Sequence, residues 1–517
     1  MRNKFFIASA CFLMQLLFSS ALLAQTKSTL DEQYRPKIHF TPEEHWINDP
    51  NGMVFYKGIY HLFFQYHPYS SIWGPMHWGH ATSSDMIHWK REPIAIYPDS
   101  LGTIFSGSAV VDKNNTTGFG KNGQVPLVAM FTHHKEEDFK AGKIDFQNQS
   151  IAYSLDDGKT WTKYAGNPVI KNPGMKDFRD PKVVWYEPQK KWVVSIATKN
   201  FIAFYSSPDL KNWTKESEFG EGRGAHGGGW ECPDLFPIDD NGKERWVLIV
   251  NLNPGAPNGG SGTQYFVGDF NGKTFTSSQT ETRWLDYGPD NYAGVTWSNT
   301  GKRRILIGWM SNWLYANEVP TEKFRNAMTL PRELKIKHIG NDILVTSQPV
   351  LELSKIQGTP LMIQNTGIPK STDIAKKTEP IKLPCRINLS LTAANNFSLV
   401  VSNDTGEELV IGYDNDKREY FIDRTKSGKI DFQKDFTGRH TAPRLTKNVD
   451  MNISLILDAS SVELFADDGL TVMTEIFFPN KPYDRFHIQS TDGLAIKKLE
   501  YINLKGIWQQ GTTKNTY

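Results

Sequence analysis

Cysteine is nearly absent from this chain, with three residues in 517, at Cys11, Cys232 and Cys385. No two of them share a CxxC spacing, so neither a disulfide framework nor a structural zinc cluster holds the fold, which must rest on packing. Long basic runs are missing too. Lys and Arg number 58 against 56 Asp and Glu, a formal net charge of +2. Without a clustered basic stripe there is no electrostatic footprint for a phosphate backbone, which argues against nucleic acid as a partner. There is no GxSxG elbow, Walker loop or His-rich ligand set, so no metal or cofactor is expected. "HGGGWECPD" from His226 has a glycine run, but it leads into a strand pattern and not a helix, which disfavours phosphate binding. "THHK" around His133 reads as a solvated pair of histidines in a loop.

Only one long apolar run exists, from Phe5 to Leu23, and it lies at the N-terminus behind Arg2 and Lys4 with Ala21 and Ala24 at its end. That is the pattern of a cleavable secretory signal over residues 1–24, implying export to the periplasm or beyond and no membrane contact after removal. An uncleaved anchor is the alternative, because the run nearly reaches membrane-spanning length.

Aromatic residues are plentiful, at 12% with 15 Trp. They suit core filling and also offer flat platforms for sugar rings. The stretches beginning at Asp49, Phe105, Asp180, Cys232 and Tyr292 each read strand, polar turn, strand, since β-branched and aromatic residues flank turn dipeptides. A second echo sets a turn before Trp89, Trp161 and Trp213. Repeats of this length without helical periodicity predict an all-β fold, a five-bladed β-propeller over residues 33–340, in which four-stranded sheets surround an axis. Residues 341–384 read as a connector. Residues 385–510 form short alternating strands parted by Asn, Asp and Gly turns, the pattern of an antiparallel β-sandwich.

Three carboxylates stand at the starts of repeats: Asp49 before Pro50, Asp180 before Pro181, and Glu231 one residue ahead of Cys232-Pro233. A residue before proline is pushed out of the helical region into an extended conformation, which restricts where its side chain points. One such carboxylate is ordinarily a turn former. Three at equivalent repeat positions converge on one place near the propeller axis. A pair of carboxyls in one cavity suits glycoside hydrolysis, one as general acid and the other at the sugar's anomeric centre, with proximity raising the pKa of one and leaving the other ionised.

"HWINDPNG" from His45, "FRDPK" at 178–182, "WECPDLF" at 230–236, "WGPMHWGHATSSDMIHW" and "FSGS" together resemble the motif set of glycoside hydrolase family 32, the family of invertases, inulinases and levanases. The likeness runs from about Ile38 to the C-terminus. It implies a propeller with a sandwich that hydrolyses β-fructofuranosyl linkages with retention and without metal. Carried over by position, Asp49 is the implied nucleophile, Glu231 the acid/base, and Asp180 with Arg179 the holder of fructose hydroxyls. Asn48, Gln65, Trp73, Trp78 and Ser106 are implied to line the fructose pocket, with Trp313 at its rim.

"WMSNWLYANEVPTEKFRNAMTLPREL" resembles exo-acting inulinases and levanases more than plant invertases, so release of fructose from levan, inulin or sucrose is the expected activity. Ile47 occupies a slot often filled by Met, and Phe324 one often filled by Trp at the rim. An endo-levanase on the same scaffold would share every catalytic residue and differ in its loops. A non-catalytic fructan-binding propeller would lack a carboxylate.

Overall fold

The computed structural model describes residues 30–368, 371–373, 380–392, 395–491 and 493–508. The signal-peptide reading and Cys11 lie outside the described residues. The molecule is all-β, a five-bladed propeller followed by a two-sheet sandwich.

Each repeat folds into one antiparallel sheet whose first strand lies innermost. The inner strands are His45–Tyr56, Thr103–Val111, Arg179–Tyr186, Gly229–Asp240 and Tyr292–Thr296. Each packs on the next, and the fifth packs on the first, so the ring closes. A latch secures the closure: Phe324–Arg325 adds in parallel to His45–Trp46, and Ser298 exchanges backbone hydrogen bonds with Met53 and Phe55.

The blades hold together because both faces of each sheet are apolar. Val54, Phe63, Trp78 and Phe131 fill the space between the first two blades, while Val128, Ile151, Val194 and Ile196 lie between the second and third. Phe204, Trp230 and Leu248 pack between the third and fourth, and Ile249, Leu306 and Leu334 between the fourth and fifth. This explains strands such as Lys191–Thr198 that read as nearly continuous apolar runs instead of alternating ones. Each fully buried side chain of this kind is worth about 1.5–3 kcal/mol relative to exposure.

The repeated Trp turns share one mechanism. Asp85 and Asp209 each accept the backbone N–H groups two and three residues ahead, Asp156 accepts that of Thr160, and Ser83, Ser154 and Ser207 cap the same turns. These side chains satisfy backbone donors that a tight turn strands.

Two six-stranded sheets make the sandwich around a core that includes Ile387, Leu399, Ile411, Leu455 and Leu464. Its junction with the propeller combines an apolar contact, Phe465 and Val472 in one cluster with Trp309 and Leu330, with fully buried charges. Arg332 donates to Asp286 at 2.7 Å and to Glu463. Arg424 donates to Asp290 at 2.6 Å. His39 bridges Asp458 (2.7 Å) and Glu463 (2.8 Å).

Burial opposes protonation of His39, but its two carboxylate partners outweigh burial and lift its pKa to about 9. The stability this proton contributes is complete below the ordinary imidazole value near 6.5 and is lost as pH rises through 9. A melting series from pH 6 to 10 is expected to show a decline in this window that His39→Asn removes. An unchanged decline in the variant would assign it to another group.

The structure departs from the sequence-based expectations in three places here. Asp342–Pro349, placed in the connector, is the outer strand of the fifth blade, paired from Ile339↔Asp342 to Arg332↔Pro349, and Leu361–Ile368 is a sandwich edge strand paired with Leu494–Asn503. The Gly340-Asn341 turn, a hairpin signal, makes the first of these. His133 and His134 are not solvated. They end the strand Leu127–His134, buried, with His133 Nδ1 2.7 Å from Ser150 Oγ, and burial pushes the His133 pKa down to about 4.

Candidate active site

At the same end of all five inner strands the register with the neighbouring strand slips. The irregularities fall between Ile47 and Pro50, Ile104 and Gly107, Arg179 and Lys182, Glu231 and Asp234, and Tyr292 and Val295. A bulge inserts residues without ladder partners and re-aims a side chain. Proline suits such a place because it has no N–H to give. The five bulges face one another around the axis.

Asp180 and Cys232, each before a proline, have φ of 61° and 42°. The extended conformation expected of them is therefore not what the bulge imposes. A non-glycine residue with positive φ persists only where its surroundings over-determine it. Here the Thr132 hydroxyl accepts from Asp180 N at 3.0 Å and Asp180 Oδ2 accepts from Cys232 N at 3.0 Å, so the two strained residues hold each other.

Between the bulges lies a cavity of about 320 Å³. Its walls include Asn48, Asp49, Gln65, Trp73, Ser106, Arg179, Asp180, Glu231 and Trp313, together with Phe105 and Tyr292, two residues the sequence reading missed. Phe105 stood in the quoted "FSGS" beside Ser106, and Tyr292 began the fifth repeat, so the repeat frame held the signal for both.

Asp49 sits at the first bulge, nearly buried. Its Oδ2 accepts from Ser106 Oγ at 2.5 Å and its Oδ1 from Asn48 Nδ2 at 2.9 Å. The Asn48 amide is itself oriented, since its Oδ1 accepts from Trp46 Nε1 at 2.7 Å. Burial raises the Asp49 pKa and the Ser106 and Asn48 hydrogen bonds oppose that rise, with the charge of Glu231 adding to it. Asp180 is pushed up to about 7 by burial, against the pull of Arg179 and with the push of Glu231 and Asp49. Glu231 is a quarter exposed; Arg179 Nη2 donates to its Oε1 at 2.7 Å and the Tyr292 hydroxyl to its Oε2. Burial disfavours the Arg179 charge, but Glu231, Asp180 and Asp177 together hold its pKa well above the ordinary value. The Cys232 thiol, 3.3 Å from Asp49 Oδ2, is pushed well up by burial and then by the neighbouring carboxylates, so it stays a neutral thiol and not a nucleophile.

Trp78 does not reach the cavity. It is fully buried behind the wall, donating from Nε1 to the Phe105 carbonyl at 2.9 Å. It also explains the glycine of "NDPNG": Gly52 has φ of 50°, and a Cβ there would meet Trp78 at 2.5 Å. Ile47 is wholly buried, and Phe324, expected near the rim, is buried under the Arg35 guanidinium, 4.0 Å from the ring centroid. Trp313 does line the mouth, stacked on Trp46 at 5.9 Å.

Residues 39–348 match the model of the glycosyl hydrolases family 32 N-terminal domain, and residues 352–505 that of the family 32 C-terminal domain. The chain belongs to glycosyl hydrolase family 32. Like other members of family 32 it is a glycosidase. It is 46% identical over 526 residues to a levanase of Bacillus subtilis (strain 168), an alignment spanning 99% of this chain and 76% of the levanase. An extracellular exo-inulinase of Aspergillus niger is 41% identical over 519 residues, spanning 92% of this chain and 96% of that protein. Among solved family 32 structures, the exo-inulinase from Aspergillus awamori superposes with a TM-score of 0.86 at 36% identity, covering 93% of this chain and 100% of the other.

Proposed function

We propose that this family 32 chain is an exported, retaining, exo-acting β-fructosidase that releases fructose from the ends of levan or inulin and from sucrose. The observation that carries the reading is that Asp49 and Glu231, from the first and fourth blades, line one small cavity. The names of the levanase and exo-inulinase relatives support the substrate class. Residues 1–24 and the description of the inulinase relatives as extracellular support export.

The roles follow from charge and geometry. A fructosyl unit enters with its anomeric carbon over Asp49, whose carboxylate two donors keep oriented. Asp49 attacks that carbon while Glu231 gives its proton to the leaving oxygen. The C–O bond breaks, the aglycone departs as an alcohol, and fructose remains as an ester on Asp49. Water then surrenders a proton to Glu231 and attacks the same carbon, freeing Asp49 and releasing fructose with its configuration retained. Arg179 and Asp180 hold sugar hydroxyls and transfer no proton. Asn48, Gln65, Trp73, Ser106 and Trp313 bind the sugar, whereas Trp78 positions Phe105.

A pocket walled by Trp73, Phe105 and Trp313 favours a chain end over the middle of a polymer. Incubation with levan, inulin and sucrose in separate time courses is expected to yield fructose alone from the outset. A ladder of oligosaccharides would replace exo with endo action, and no product from any of the three would reject the enzyme reading.

A further inference from the structure

The catalytic end of the first two blades carries an apolar surface that a soluble protein ordinarily covers. Strand direction places three loops there: residues 68–76, residues 97–102 and residues 135–146, all beside the start of the inner strands that bear Asp49 and Ser106. More than half of the exposed large apolar side chains among the described residues stand on these three loops, and the others are scattered. Tyr69 is 73% exposed, Tyr97 53%, Phe139 45% and Trp73 39%, with Ile72 and Ile144 beside them in the same loops. An apolar patch of this kind beside a binding cavity marks an interaction surface.

The rings are connected to the pocket. Trp73 and Phe105, both in the cavity wall, meet edge to face at 6.2 Å. The His134 ring lies flat on Phe105 at 4.2 Å, and Phe139 packs on His134 at 5.8 Å. On the other side His77 is wedged between Tyr69 (5.8 Å) and Tyr97 (5.6 Å). The loops are also pinned. His67 Nδ1 donates to the Ile72 carbonyl at 2.8 Å, Asn317 Oδ1 accepts from Trp73 N at 2.9 Å, and Asp99 exchanges backbone hydrogen bonds with Gly102. Rigid aromatic faces bind without a large ordering cost.

We propose that this apron is a polymer-binding surface: it takes the sugar units that trail out of the pocket, so the enzyme holds long fructans more tightly than sucrose. The inference rests on the fructosidase reading above and adds the residues that select chain length. A sugar ring presents C–H bonds on its faces and hydroxyls at its edge, which matches exposed aromatic faces interleaved with Asp99, Glu136 and the tyrosine hydroxyls. Continuity with the cavity commits the surface to substrate in preference to a second protein copy, for which only flatness and apolarity would matter.

The test compares the wild-type protein with Tyr97→Ser, Phe139→Ser and the double variant on levan, inulin and sucrose. Both residues are about half exposed and Phe139 lies in a short helix with no buried residues, so melting temperatures should move little. Loss of one stacked ring is expected to lower kcat/KM on the preferred polymer about tenfold, through KM, while sucrose hydrolysis stays within about twofold. Equal effects on polymer and sucrose, or none on either, would overturn the proposal. So would a change from dimer to monomer in sedimentation with unchanged polymer kinetics, which would make the apron a contact between copies. If the wild type cleaves no fructan and no sucrose, the fructosidase reading fails and takes this proposal with it, an outcome distinct from normal cleavage that ignores the apron.

Discussion

Glu231→Gln is expected to slow hydrolysis of levan and sucrose by about 100- to 10,000-fold, the usual worth of a positioned general acid, while polymer binding survives. Gln keeps the shape of the side chain and an oxygen to accept the Arg179 hydrogen bond now made at 2.7 Å, so the pocket should not rearrange. What it cannot do is give a proton to the departing alkoxide. In the ester-forming step, read as kcat/KM or as an initial burst of phenol, an aryl β-fructofuranoside, whose phenolate leaves without one, should therefore be slowed much less, although release of fructose from the ester still lacks its base. Asp49→Asn should separate from it cleanly. With no nucleophile to form the ester, both substrates lose turnover together. Affinity electrophoresis in levan measures the binding half, and initial rates on the two substrate types measure the chemistry. Should Glu231→Gln slow both substrate types equally, or neither, the acid/base assignment would fall.

Arg332→Met is expected to cost about 3–5 kcal/mol of folding stability, the typical price of leaving a buried charge without its partner. Arg332 is wholly buried and lies between Asp286 and Glu463, with Thr474 accepting a further hydrogen bond at 2.6 Å. Removing it takes the shared guanidinium from two carboxylates where water cannot reach, leaving Glu463 with His39 and the Leu330 N–H and Asp286 with neutral donors only. Both belong to the junction, Asp286 from the fourth blade and Glu463 from the sandwich, so the loss should loosen the two parts from each other before the blades open. Denaturant unfolding followed by Trp fluorescence is the measurement, and a single unshifted transition would show that the junction does not depend on this ion pair. Asp286→Asn alone should be milder, because Arg332 keeps its pairing with Glu463.

The blades were legible because their information is local. A strand, a turn dipeptide and a returning strand lie within about twenty residues, and the pattern recurs, so counting repeats located every inner strand that later met at the axis. The catalytic candidates were legible through the same frame, since equivalent repeat positions must face one another when blades close into a ring. Trp78 was misread as a pocket residue for the opposite reason. Its sequence neighbours say only that it lies on a strand, and one step of the two-residue alternation decides whether it faces sugar or core. His133 and His134 failed likewise: two histidines beside a lysine resemble surface, and only the strand pairing with Gln147–Ser154 buries them.

By itself, then, the order of residues determined the all-β class, the five blades, the trailing sandwich and the three acidic side chains that meet in one cavity, because each is written in short-range pattern repeated along the chain. Tertiary structure alone decided the positive φ of Asp180 and Cys232, the donors on Asp49 and Glu231, and the ionic junction built by His39, Arg332, Arg424 and Glu463. Apart from the Asn48 amide on its neighbour Asp49, those features join residues tens to hundreds of positions apart, as with Arg332 and Glu463. Their energies exist only once closure of the ring has removed water and brought distant charges into contact.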